Sequence, residues 1–119
     1  MKRLVLLLSA LAVTASAAGI AGTWKAPIKT PTVTFYNVFT FKMVGGKLTG
    51  TLKSGNMAPL PISDIKLDHN EISFVVIQKS EDHDFKMTYT GTTNGDEMKL
   101  VLHFPIGGRT QSMVAKKVP

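Results

Sequence analysis

A chain of 119 residues with no cysteine is long enough for one domain, and it excludes disulfide frameworks, thiolate metal sites and cysteine nucleophiles. Its formal net charge is +6, falling to +4 once Lys2 and Arg3 are set aside. The lysines Lys25, Lys42, Lys53, Lys66, Lys79, Lys86 and Lys99 recur about once per expected strand, which reads as a solvated exterior rather than a nucleic-acid patch and leaves only weak attraction to anionic surfaces.

The N-terminal segment "MKRLVLLLSALAVTASAAG" places Lys2 and Arg3 before an apolar run from Leu4 to Val13 and ends in small residues. That order is the pattern of a secretory signal peptide, with cleavage expected after Ala17 or Ala18. The apolar run is shorter than the roughly 20 residues of a membrane span. No cysteine follows it, so a lipid-modified N-terminus is excluded. The expected organisation is therefore a signal peptide over residues 1–18 and one domain over 19–119, exported to the periplasm or the cell exterior. A stable membrane span is not expected after cleavage.

Beyond residue 20 the apolar residues follow a period of two, not 3.6. A short first strand lies around "AGTWKA", residues 21–26. Phe35, Phe39, Phe41 and Met43 then share one face, with Thr34, Tyr36, Thr40 and Lys42 on the other. Leu48, Gly50 and Leu52 alternate with Thr49, Thr51 and Lys53. Ile65 and Leu67 follow, then Ile72, Phe74 and Val76, then Phe85, Met87, Tyr89 and Gly91. Met98, Leu100, Leu102 and Phe104 form a seventh run, and Met113 and Ala115 an eighth.

Turn residues separate the runs: Gly45-Gly46, Ser54-Gly55-Asn56, Asp68-His69-Asn70, Asn94-Gly95 and Pro105-Ile106-Gly107-Gly108. Asn94-Gly95 is the strongest hairpin signal, because both residue types tolerate positive φ. Links this short make neighbouring strands antiparallel, so the expected fold is all-β, an eight-stranded antiparallel up-and-down barrel. Gly50 and Gly91 occupy inward positions in matching Thr-Gly-Thr settings, where a missing side chain lets a strand bend sharply.

"GTW", residues 22–24, resembles the Gly-x-Trp that opens lipocalins and their calycin relatives. The resemblance implies that Trp24 closes the base of the barrel beside a basic side chain of the last strand. Lys117 has the inward phase for that role, with Lys116 and Arg109 as alternatives. "GTW", "TFYNVF" and "GGKLTGTL" together are similar to the opening of avidin-type proteins. Those proteins box biotin between several tryptophans and this chain has only Trp24, so biotin is not the expected ligand. Across the expected domain, residues 22–24, 48–51, 72–74, 89–91 and 95–100 resemble an uncharacterised family of exported bacterial calycin-like domains, which implies a fold and a compartment but no activity.

Motifs for chemistry are weak. Ser63-Asp64-Ile65-Lys66 matches the Ser-x-x-Lys of penicillin-recognising enzymes but lacks the helix that would bring Lys66 beside Ser63. "SEDHD", residues 80–84, lacks the spacing and central glycine of a calcium loop. Gly107-Gly108-Arg109-Thr110 is followed by no helix to supply an anion-binding dipole. No nucleophile has an evident base, so the expected protein is non-enzymatic, with no metal or cofactor.

What remains is the lumen. Large apolar side chains are numerous enough to favour a filled barrel, and only Asn37, Gln78 and Tyr89 interrupt the inward face with polar groups. These three are the candidate ligand-orienting residues if a small, mainly apolar ligand enters. The alternative is a periplasmic inhibitor or other protein-interaction module. Outward Val75, Ile77, Val101, Tyr36 and Val38 suggest an apolar patch for a weak homodimer, but outward Lys86, Thr88 and Thr90 on the strand between break it, so a monomer is the leading expectation and a weak homodimer the alternative.

Overall fold

A computed structural model describes residues 17–119. Residues 1–16, which hold most of the expected signal segment, lie outside the described residues. A single helical turn, α1 (Ala17–Ile20), leads into eight strands: β1 (Gly22–Lys29), β2 (Thr34–Val44), β3 (Lys47–Ser54), β4 (Leu60–Asp68), β5 (Glu71–Lys79), β6 (Asp84–Asn94), β7 (Glu97–His103) and β8 (Thr110–Lys117). Each pairs antiparallel with its sequence neighbour, and β8 returns to β1, so the sheet is a closed up-and-down barrel. The period-two pattern drives this arrangement: along β1 the apolar Trp24, Ala26 and Ile28 are buried while Lys25, Pro27 and Lys29 face solvent.

β4 departs from a uniform alternation. It begins at Leu60, earlier than the apolar pair Ile65 and Leu67 implies. Leu60 and Ile62 face inward in one phase, and Ile65 and Leu67 in the opposite phase. A bulge between Ser63 and Lys66 absorbs the extra residue, with Asp64 at φ 53°. Without that bulge a single-residue slip would turn one half of the strand inside out. The β6–β7 turn also differs from the expected form. Its two loop residues are Gly95 and Asp96, and Gly95 alone takes a positive φ, while Asn94 ends the strand.

The lower half of the lumen is filled. Trp24, Phe39, Phe41, Phe74, Met98 and Leu100 are fully buried. Phe39 meets Phe74 and Tyr89 edge-on at centroid distances of 5.8 and 5.6 Å, and Phe74 stacks on Tyr89 at 4.9 Å. This aromatic group crosses the barrel between β2, β5 and β6 and forms a floor.

Below the floor, Trp24 pairs with Lys117 across the β1–β8 seam. The Trp24 indole N–H donates to the Ile20 carbonyl at 2.9 Å, and the Lys117 ammonium lies 5.5 Å from the indole ring and donates to the Gly19 carbonyl at 3.2 Å. The Lys117 stem passes over Gly22, where a Cβ would stand 2.9 Å from Cε. Ile20 is buried, so the turn of α1 seals the base.

Gly50 and Gly91 are both inward, and their space is taken by neighbouring strands. A Cβ on Gly50 would stand 2.9 Å from the Thr40 carbonyl oxygen and 3.0 Å from the Phe41 ring. A Cβ on Gly91 would collide with the Lys99 carbonyl oxygen, a backbone atom that cannot swing aside. Close backbone approach therefore requires glycine at both sites. Gly50→Ala is expected to lower stability by about 1–3 kcal/mol, the usual cost of overpacking. Gly91→Ala is expected to cost more, read as a lower denaturant midpoint at unchanged slope. A Gly91→Ala protein as stable as the parent would contradict the close approach.

Candidate functional site at the open end of the barrel

Two seams are short, and the β1–β8 seam is the one that opens the upper half. β3 and β4 share only the pairs Gly50↔Ile62, Thr51↔Pro61 and Leu52↔Leu60, whereas β5 and β6 pair from Glu71↔Thr92 to Lys79↔Asp84. That ladder sits beside the 55–59 connection at the upper end, and it is missing on the base side, below Gly50 and Ile62. β1 likewise pairs with β8 only at Trp24 and Lys25. The expectation of a filled lumen therefore holds below the aromatic floor and not above it.

Above the floor lies a cavity of about 740 Å³. Ile28, Phe35, Leu52, Leu60, Val76 and Leu102 supply an apolar wall, and Met87 and Phe104 reach it nearer the rim. Asn37, Gln78 and Tyr89, which sit on three different strands, all line this one cavity. Ser54 and Gln111 line it too. Alternation marks both of these inward, Ser54 in phase with Leu52 and Gln111 with Met113, but each lies at a strand end where the apolar pattern fades.

The polar groups differ in how well they are satisfied. Asn37 is buried, its side-chain oxygen accepts from the Ser54 hydroxyl at 2.7 Å, and one amide N–H donates to the Met113 sulfur at 3.7 Å. The Tyr89 hydroxyl belongs to a residue only 3% exposed, yet no side-chain hydrogen bond joins it to any described residue. Burial pushes its pKa up from 10.0 to about 12, so near neutral pH it is an uncharged donor. The side-chain amides of Gln78 and Gln111 also have no hydrogen-bond partner among the described residues. Buried polar groups are normally paired, and an unpaired hydroxyl facing a cavity is a group prepared for a ligand or for water.

The motifs outside the cavity remain on the surface. Ser63 and Lys66 are exposed on either side of the β4 bulge, and the Ser63 hydroxyl donates to the Val75 carbonyl at 3.4 Å. The 80–84 segment is a tight turn, with the Ser80 N–H and hydroxyl both donating to the His83 carbonyl at 3.1 and 2.8 Å. His69 pairs only with its neighbour Asp68, at 2.7 Å on an exposed hairpin, and the His103 ring lies 3.0 Å from the Thr90 hydroxyl on the outer wall. Among the described residues, no three His, Asp or Glu side chains gather as a metal site.

The apolar outer patch is smaller than the alternation implies. Val75 faces outward but is only 8% exposed, flanked by Thr88 and by Ser63 at the start of the β4 bulge. Lys86, Thr88 and Thr90 separate Val75 and Ile77 from Val101. No described helix is long and apolar enough to cross a membrane.

No protein-family model, curated protein or solved structure matches the chain. Its architecture defines it instead: a closed antiparallel barrel of eight strands, compatible with the calycin type of fold. Within that class it is a barrel sealed at one end by Trp24 and Lys117 and hollow at the other.

Because free tyrosine ionises near 10.0 and folded Tyr89 near about 12, the folded protein holds this proton longer than the unfolded chain. Stability is then unaffected by this group below pH 10 and falls as pH rises through the window up to about 12. Of the two tyrosines, Tyr89 is expected to ionise in a late phase of an ultraviolet alkaline titration, and Tyr89→Phe to remove that phase.

Proposed function

We propose that this chain is a non-enzymatic, exported β-barrel domain that takes a small, mainly apolar ligand end-on into the upper lumen. The observation that carries the reading is the unpaired, buried Tyr89 hydroxyl at the floor of an apolar cavity of about 740 Å³. That volume lies in the ordinary range for small-molecule sites. The lysines of the lining, Lys25 and Lys53, are exposed, while Tyr89, Asn37 and Gln78 are uncharged, so the polar end of a ligand that reaches the floor is uncharged, with a hydroxyl, amide or carbonyl to meet these three. Long-chain alcohols and amides have this chemistry. The signal pattern of residues 1–18 supports export, and the Gly22-Thr23-Trp24 opening supports membership of the uncharacterised exported calycin-like family.

The test is saturable binding of a neutral, polarity-sensitive dye, displaced by a series of straight-chain alcohols. One dye per chain is expected, with displacement strengthening as chain length grows and then stopping when the cavity is full. Leu102→Phe, which narrows the cavity, should abolish binding while leaving Trp24 emission unchanged. Tyr89→Phe should weaken the alcohols by about fivefold, the worth of roughly one hydrogen bond, and leave a pure hydrocarbon unaffected. Dye binding that never saturates, or that survives Leu102→Phe, would refute the reading.

A further inference from the structure

All eight acidic residues lie at or after Asp64, so β1, β2 and β3 carry none. Barrel closure then sets β8, which also lacks acidic residues, beside β1. The contiguous wall β8–β1–β2–β3 presents Lys25, Lys29, Lys42, Lys47, Lys53 and Lys116, all exposed. The opposite wall, β4–β6 with its connecting loop, carries Asp64, Asp68, Glu71, Glu81, Asp82 and Asp84 against three lysines. A net charge that looks evenly spread along the chain is therefore segregated around the barrel.

The ladder sharpens this. Lys116 stands directly opposite Lys25, Lys25 opposite Val38, and Val38 opposite Lys53, so one row across four strands holds three lysines. Like charges directly opposed on a sheet are destabilising. Glu97 is the neighbour of Lys116 on β7, but no ion pair joins them; among the described residues the sole ion pair is His69 with Asp68, on the other side of the barrel. An external anionic surface would relieve the repulsion.

The same wall ends in exposed apolar groups at the hollow end of the barrel. Val33 is 56% exposed, Tyr36 50% and Met57 54%, and the Lys25 ammonium lies 5.8 Å from the Tyr36 ring centroid. The cavity continues over the rim onto Lys25, Tyr36 and Lys53. A soluble polyanion would use the lysines alone, whereas a lipid surface uses the lysines, the interfacial tyrosine and the apolar tips together. We infer that the β8–β1–β2–β3 wall docks peripherally on an anionic phospholipid bilayer, with the cavity mouth turned toward the lipid.

The experiment is co-sedimentation of the protein, recovered after export, with phosphatidylcholine vesicles with and without phosphatidylglycerol. Binding is expected only to the anionic vesicles and is released by raised salt. Lys25→Gln with Lys53→Gln should weaken it by roughly 30-fold, while Lys66→Gln with Lys86→Gln, an equal change in net charge on the opposite wall, should alter it less than about twofold. Trp24 emission confirms that both variants are folded. Equal losses in the two variants, or no binding to anionic vesicles, would overturn the inference. So would vesicle binding that is unchanged by Tyr36→Ser and is matched by polyphosphate, since the partner would then be a polyanion rather than a bilayer. Dye binding in the lumen is read separately, so either result stands without the other.

Discussion

The barrel depends on one seam. Seven hairpin connections bring successive strands together almost automatically, but β1 and β8 are separated by the whole domain and meet through only two residue pairs, Trp24↔Lys117 and Lys25↔Lys116. If they did not meet, two long edges would be left unpaired and open to association. With no cysteine to staple the ends, the seam is held by the buried Trp24 indole, its hydrogen bond to Ile20, and the Lys117 ammonium over the ring. The inward-facing cation is tolerated because it sits at the barrel's end, capped by the Gly19 carbonyl.

The position of that seam also sets where the barrel is hollow. The pairs that close it lie near the base, and above them β1 is paired on one side only. The short β3–β4 ladder is open at the opposite end, below Gly50 and Ile62, and so does not contribute to this opening. Phe39, Phe74 and Tyr89 then decide how deep the hollow reaches, because their edge-on and stacked contacts fill the barrel's width. Tyr89 completes the packed floor with its ring, and its hydroxyl has no side-chain hydrogen-bond partner among the described residues.

Much of this was legible in the residues, and some was not. Strict alternation identified the strands, and Gly50 and Gly91 stood out by interrupting it in a shared Thr-Gly-Thr setting. Asn37, Gln78 and Tyr89 were visible as polar exceptions on the apolar face, and the structure brings all three to one cavity. The β4 bulge was not legible, because a phase shift within a short strand looks the same as a strand that starts late. Val75 looked exposed by parity alone, and its burial depends on how the neighbouring strand bends.

The local pattern by itself determined the strand count, the hairpin order and, outside β4, most of which residues face inward, since these follow from side-chain period and turn chemistry over a few residues. It also placed every acidic residue at or after Asp64. Only the tertiary structure decided that the strands without acidic residues form one wall, because barrel closure sets β8 against β1 and so joins Lys116 to the lysines of the first three strands. Only the tertiary structure, likewise, decided that the lumen is half empty. Counting apolar side chains gives the volume available to fill a barrel, but how far each seam stays zipped is set by strand register and ladder length, which no single stretch of sequence contains.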